Sequence, residues 1–539
     1  MVFIFMNMIW FFFFEWLIFS MNSCNFSCIF LFDWVSLIFM SFVFLISGSV
    51  LFYSLGYMRG DYNLVRFFYL VFFFILSMIF FILMPDLICL LLGWDGLGLV
   101  SYCLIIYYNN FSSLSSGLVT VFMNRFGDVF LILAIGWFIN FGSWHFSLFP
   151  YFFDYDCFYI VYLILFASFT SSAQFPFCFW LPMAMAAPTP VSSLVHSSTL
   201  VTSGVYLIIR FNYYIYSFDT FFLMIISLLT MFISSLNACV ENDLSKIIAF
   251  STLSQLGFMF FVLSFGSLTI CFIHLLIHAV FKSLLFLCSG FFIHCFFGNQ
   301  DIRFMGGLVI QCPYICSCFC ISLLCLCGFP FFSGFYSSDF VVELLLLMNL
   351  KFFYFFFFCF SVFLTIFYSF RLMYYLFFSN SFFFPYISFV YCFYMNFSLF
   401  FLFFFSLFGG SLIFWLFSDF VFIIDFLKLI PLFIFFFCLF FCLNLLDNLF
   451  FFCNFFFFYF FGSMWFLNYF STFFFLSRFF SFSSFSYSLV DVGWLEYFVS
   501  GGLFGVFRWV SYLFESFIIN SFFIYMVSFF FFFLFLFLI

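Results

Sequence analysis

Charge is what this sequence has least of. Asp, Glu, Lys and Arg make up 6% of its 539 residues, with 12 basic against 20 acidic side chains and a net charge of −8. Only four lysines and five histidines are present. So few basic residues exclude a patch that could neutralise a nucleic-acid backbone. A mean hydropathy of +1.34 excludes a soluble fold, which could not hide this much apolar surface. Proline is sparse as well, ten residues in all, so each cluster of prolines marks a deliberate break in a helix. The first apolar run holds Glu15 and lacks a basic leader, so no cleavable signal is expected.

What is present is hydrocarbon. Each membrane crossing takes roughly 20 apolar residues, and the length leaves room for about fifteen. The 128 phenylalanines fit a coding strand rich in T, as in an organellar genome. Phe, Leu, Ser, Tyr, Cys and Trp share codons that begin with T, and lysine codons are rich in A. Where any apolar residue suits lipid, such drift is tolerated, so polar residues that persist against it carry more information than usual. The cysteines follow the drift. Cys312, Cys316, Cys318, Cys320, Cys325 and Cys327 crowd into one span but point around the whole helix. They lack the paired spacing of a metal site and read as small hydrophobes.

Spans are expected at 3–20, 29–54, 66–85, 87–108, 118–141, 157–182, 190–210, 219–240, 245–266 and 269–295. They continue at 309–345, 353–378, 393–418, 429–446 and 448–462. Two of them are broken. The stretch Gln174–Arg210 carries Pro182, Pro188 and Pro190, followed by His196 inside an apolar helix. Pro330, with Gly328 and Gly334, breaks the span at 309–345. Paired broken helices beside membrane-buried ionisable groups are the physical signature of ion translocation through an inverted repeat. From about 470 to 515, Ser and Gly appear with Arg478, Asp491, Glu496, Arg508 and Glu515. That pattern predicts an interfacial amphipathic helix, followed by a last span over 516–539.

The ionisable residues inside the spans are few. His274, His278 and Lys282 follow at steps of four and share one helix stripe. Imidazoles titrate near neutrality and relay protons. The two histidines at i and i+4 also suit a metal, though no carboxylate completes a set and the lysine one turn on repels a cation. Inert core polar residues are the third reading. Lys246 opens a span, as either a snorkelling helix-end charge or a channel group. His196 is either a relay or a hydrogen-bonded structural histidine. Arg125 and Asp128, at i and i+3, form an intrahelical pair of functional or purely structural kind.

Ten ordered motifs then point one way. Among them are LFDWVSL (31–37), GWDGLGLVSYCLI (93–105), NRFGDVFLILA (124–134), SAQFPFCFWLP (172–182) and APTPVSSLVHSSTLVTSGVYL (187–207). NDLSKIIAFSTLSQLGFM (242–259), HLLIHAVFKSLLFLCSG (274–290), QDIRFMGGL (300–308) and GFPFFSGFYSSD (328–339) follow. With YSLGYMRGD (53–61), the set resembles chain 5 of respiratory complex I, the antiporter-like subunit of mitochondrial NADH–ubiquinone oxidoreductase. The match is dense over residues 30–345 and rests on topology beyond them.

The resemblance implies an all-α polytopic membrane protein with two inverted five-helix units and a lateral helix. The divisions are residues 1–117, the first unit at 118–240, the second at 241–378, and further spans at 379–469. The lateral helix lies at 470–515 and the anchor at 516–539. It implies a multi-pass protein of the mitochondrial inner membrane that moves protons as part of an NADH:ubiquinone reductase. Its partners would be the other membrane-arm subunits, especially neighbouring antiporter-like subunits along the lateral helix, and lipids. No cofactor or metal is expected in the chain, because electron transfer falls to other subunits. The family places a central proton-carrying lysine at Lys282, a channel lysine at Lys246, a relay histidine at His196 and an exit acid at Asp339. Asp95 stands where the family has glutamate, and Ser171 and Ser338 stand where it has lysines. With the base gone at position 171, Arg125 is expected to partner Asp95, or serines and water to carry that half-channel. Two other functions stand beside proton pumping. One is an arm subunit that has lost its own channel, and the other is a cation/proton antiporter.

Overall fold

A computed structural model describes residues 11–21, 24–141, 144–145, 157–212, 215, 220–347, 352–380, 382, 392–417, 430–445, 455–469 and 475–538. The chain forms two compact units, Met1–Trp465 and Phe466–Ile539.

The first unit opens differently from expectation. Where a span was expected at 3–20, the chain pairs β1 (Phe12–Met21) with β2 (Cys24–Phe32) as an antiparallel hairpin, from Phe12 opposite Phe32 to Met21 opposite Cys24. Hydropathy alone does not tell a buried strand from a buried helix, and Phe, Trp and Ile favour the pleated surface. β2 buries Ser27, Ile29 and Leu31 at the period of two that a strand imposes.

Helices follow from Asp33 onward. Asp33 caps α1 (Trp34–Tyr57): its Oδ1 accepts from Ser36 N at 2.9 Å, and Ser36 Oγ accepts from Asp33 N at 3.0 Å. The same carboxylate binds both arms of Arg210, with Nη2 at 2.9 Å from Oδ1. Burial pushes the Asp33 carboxyl up, but the Arg210 hydrogen bond and charge, with Ser36, outweigh it and hold it below the usual carboxylate range.

Next come α2 (Leu64–Leu83), α3 (Leu87–Ile105) and α4 (Phe111–Phe138), whose Phe-rich outer faces stay exposed. The first expected break lies between α5 (Cys157–Ser171) and α6 (Thr189–Arg210), with only short turns at Trp180–Met183 and Ala184–Ala186 between them. α7 (Phe221–Val240), α8 (Leu244–Ser264) and α9 (Leu268–Cys295) complete the centre. The second expected break separates α10 (Pro313–Cys327) from α11 (Ser333–Leu347). α12 (Phe352–Met373), α13 (Phe393–Phe417), α14 (Ile430–Leu445) and α15 (Phe455–Gly462) follow.

Burial within this unit is uneven. α8 is wholly buried and α6 and α9 nearly so, whereas less than half of each of α1 to α4 is buried. Helices that are apolar all round belong inside a bundle, and these three carry the one buried lysine and the three buried histidines found among the described residues. Small residues let backbones approach there. A Cβ on Gly334 would lie 1.9 Å from the Cys325 carbonyl, and one on Gly204 would lie 2.5 Å from the Ser168 carbonyl.

The second unit is helical from Phe475 to Leu538, as α16 (Phe475–Ser486), a π-helical stretch over Tyr487–Gly501, and α17 (Gly502–Leu538). Among the described residues, 11 helices are long and apolar enough to cross a membrane. Four shorter apolar helices accompany them.

Candidate functional site

The site is assembled from the buried core outward. On α9, Lys282 is fully buried and its Nζ donates a 2.6 Å hydrogen bond to Ser251 Oγ on α8. Among the described residues no carboxylate pairs with it. The expected stripe is real: the rings of His274 and His278 lie 6.3 Å apart, one turn from each other and below the lysine. His274 is held on both sides, with Nδ1 2.8 Å from Ser337 Oγ on α11 and Nε2 3.1 Å from Gln255 Oε1 on α8. These two bonds use both ring nitrogens. His278 is fully buried and neither ring nitrogen meets a partner among the described residues. A buried polar atom of that kind needs water.

Beside His274 the second helix break opens into a cavity of about 60 Å³, lined by Ser254, Gln255, Gly328, Ser338 and Thr365 with His274 itself. A water needs about 10–15 Å³ of such space, so a few fit among polar partners. Ser338 is therefore placed at a cavity with room for a few waters, at the break between α10 and α11.

The first break carries another buried histidine. His196 is fully buried and, like His278, leaves both nitrogens without a partner among the described residues. Its helix is wound as a π-helix over Ser192–Thr199, where Thr199 Oγ1 donates to the Leu194 carbonyl at 2.7 Å and Ser197 to that of Ser193. Widened turns of this type are frequent at functional sites. The Trp180 ring stands 6.2 Å from the His196 ring. At the break itself, Gln174 Oε1 accepts from Thr230 Oγ1 at 2.7 Å. Ser171 is buried and bonds only to the Ser168 carbonyl in its own helix, at 3.1 Å.

The remaining expected residues lie further out. Arg125 bridges two acids through one nitrogen, with Nη1 3.3 Å from Asp95 Oδ1 and 2.8 Å from Asp128 Oδ2. This is the Arg125–Asp95 partnership expected from the loss of a base at Ser171. Lys246, 43% exposed, is tied to Asp243 at 2.6 Å in the first turn of α8. It is held at the helix end and not among the histidines. Asp339 is half-buried on α11, two residues past Ser337. Outside the spans, Asp86 and His145 face each other at 3.9 Å. Burial raises the Asp86 carboxyl to about 7 and lowers His145.

The sequence reading did not single out Ser251, Gln255, Ser337 or the π-helical winding. Gln255 offered a signal, a long amide in the middle of a span, because such a group stays buried only with a partner. The serines gave none, since serine is abundant throughout the spans.

This is the arrangement of an antiporter-like channel protein: two broken helices, a buried lysine and a line of buried imidazoles. Comparison with known proteins narrows it. Residues 84–365 match the family described as NADH:quinone oxidoreductase/Mrp antiporter, transmembrane region. Residues 16–68 match the complex I chain 5 N-terminus, and residues 368–539 the NADH dehydrogenase subunit 5 C-terminus. NADH-ubiquinone oxidoreductase chain 5 of Aedes aegypti is 54% identical over 367 residues, 68% of this chain and 63% of that protein. Its counterpart from Locusta migratoria is 48% identical over 420 residues, 77% and 73% of the two chains. The matched part thus spans under two thirds of the Aedes protein. The Mrp complex of Dietzia sp. DQ12-45-1b shares the fold at a TM-score of 0.69 and 22% identity, over 81% of this chain and 52% of that one. An archaeal membrane-bound sulfane sulfur reductase shares it at 0.65 and 19%, over 74% and 67%. The chain belongs to the NADH-ubiquinone oxidoreductase chain 5 family.

Proposed function

We propose that this chain is a proton-translocating membrane-arm subunit of complex I in the mitochondrial inner membrane. NADH oxidation and ubiquinone reduction take place in other subunits, and this chain moves protons through buried side chains and water. The observation that carries the reading is Lys282, fully buried in a chain with four lysines and bonded to a neutral hydroxyl. A structural ion pair would place a carboxylate there. An ammonium that must gain and lose its proton is better served by a partner that accepts in one state and donates in the other, as a hydroxyl does.

In this reading Lys282, His278 and His274 form the central line, His196 serves the first half-channel, and Asp339 and the Ser338 cavity lie toward the exit. Arg125 neutralises Asp95 and Asp128. Lys246 modulates the line from the helix end through its pairing with Asp243. Its partners are other membrane-arm subunits and lipids, which cover the exposed apolar faces.

A second reading has one specific observation in its favour. Ser171 and Ser338 leave both broken helices without a lysine, so the chain would hold the arm together without pumping. The test is NADH-driven proton uptake by sealed vesicles holding the whole assembly, against the assembly from which this chain has been dissociated. A fall in protons per electron that does not depend on sodium supports translocation by this chain. An unchanged ratio supports the purely structural role, and a sodium-dependent one supports cation antiport.

A further inference from the structure

His274 sits in a cage whose four polar atoms satisfy the ring in every protonation state. Ser337 Oγ is 2.8 Å from Nδ1 and also 3.1 Å from the Gly334 carbonyl. Gln255 meets Nε2 at 3.1 Å. With the neutral ring protonated at Nε2, that N–H donates to Gln255 Oε1, and the Ser337 hydroxyl donates to Nδ1. When a proton is added at Nδ1, the new N–H donates to Ser337 Oγ, and the hydroxyl hydrogen turns to the Gly334 carbonyl. If the Gln255 amide then turns over, its NH₂ donates to a bare Nε2 and the ring is neutral again, with its proton on Nδ1. The entering proton comes from water in the cavity that Ser337 lines with Thr269 and Tyr336, taken up at Ser337 Oγ as that hydroxyl passes its own proton to Nδ1. The Nε2 proton leaves to water in the cavity that His274 and Gln255 line, as the amide turns. One proton enters and one leaves, and only the hydroxyl and the amide rotate.

We propose that Ser337 and Gln255 are the positioning residues that make His274 a two-way proton relay, passing protons between the two cavities that Ser337 and Gln255 line on either side of its ring. The inference rests on the proton-translocation reading and deepens it. A histidine with one fixed donor would be locked in a single tautomer, because the other states cost an unsatisfied buried group. The hydroxyl rotor and the reversible amide remove that lock. Gly334 has a second part in this: the backbone approach that its missing side chain allows, against Cys325, fixes the carbonyl that Ser337 uses.

The experiment compares the native assembly with Ser337→Ala, Ser337→Thr, Gln255→Leu and Lys282→Met, reading protons per electron across pH at matched NADH oxidation. Ser337→Ala and Gln255→Leu should lose the same protons per electron as Lys282→Met, with the assembly intact. Ser337→Thr, which keeps the hydroxyl, should retain them. Full pumping by Ser337→Ala and Gln255→Leu at every pH, beside a loss in Lys282→Met, overturns the cage and leaves the channel standing. Full pumping by all the variants overturns the channel reading itself. Should Ser337→Ala not assemble, Ser337→Cys decides: a thiol fills the space but is a poor donor and acceptor, so wild-type pumping by it contradicts the proposal.

Discussion

The amine of Lys282 and the hydroxyl of Ser251 meet at 2.6 Å between α9, nearly all buried, and α8, wholly buried. Ser251 Oγ is itself 2.6 Å from the Ile248 carbonyl one turn back. The hydroxyl therefore gives its hydrogen to the backbone while it accepts from the ammonium, and turns it to the amine when the lysine is neutral. Ser251→Ala removes that partner and leaves the amine unsatisfied, at a cost of about 1–3 kcal/mol. The expected outcome is a lowered thermal midpoint of the membrane arm together with reduced protons per electron. Ser251→Thr should restore both.

His196 separates structural from functional histidines. Losing a hydrogen-bonded buried histidine destabilises, whether it relays protons as His274 does or only holds the fold. His196 has no such bond among the described residues, so His196→Leu should leave stability unchanged or raise it while lowering protons per electron. Thermal denaturation and proton uptake on the same preparation check both halves. A large loss of stability with normal pumping contradicts the assignment.

Arg125 holds two acids at once, both through Nη1. Arg125 and Asp95 are 39% and 35% exposed, whereas Asp128 is buried. Arg125→Leu leaves that buried carboxylate without its counter-charge, so it should cost more than the ~1 kcal/mol of an exposed pair while impairing proton uptake. Arg125→Lys should fall between the native chain and Arg125→Leu. Assembly level and proton uptake are the measurements.

Asp86 gives a pH signature. Burial raises its carboxyl from 3.8 to about 7, so between those values the folded chain keeps a proton that the unfolded chain has lost. Stability from this group is present at low pH and is lost as pH rises through about 7. Relative to Asp86→Asn, the native chain should lose thermal stability as pH rises from 4 to 7. Parallel curves for the two proteins contradict the burial of an acid there.

The helices, their breaks and the Lys282 stripe were legible because they follow from local rules: apolar runs, Pro and Gly punctuation, and steps of four. The Arg125–Asp95 pair was one of two alternatives that the family resemblance implied, since Ser171 stands where the family has a lysine; the sequence by itself did not choose between them. The N-terminal hairpin was not, because an apolar run of this length satisfies a strand or a helix equally. The cage around His274 was not legible either, because Ser337 and Gln255 come from helices separated from α9 in sequence and share no periodicity with it. The π-helical winding at His196 depends on hydroxyls reaching carbonyls five residues back, as Thr199 does to Leu194. In a sequence so rich in serine, that signal is lost.

The most direct test of the central claim is NADH-driven proton uptake by vesicles holding the whole assembly, native against Lys282→Met, at matched NADH oxidation. The account predicts fewer protons per electron in Lys282→Met with the assembly intact. An unchanged ratio would contradict a working channel through Lys282 and leave this chain as a structural member of the arm.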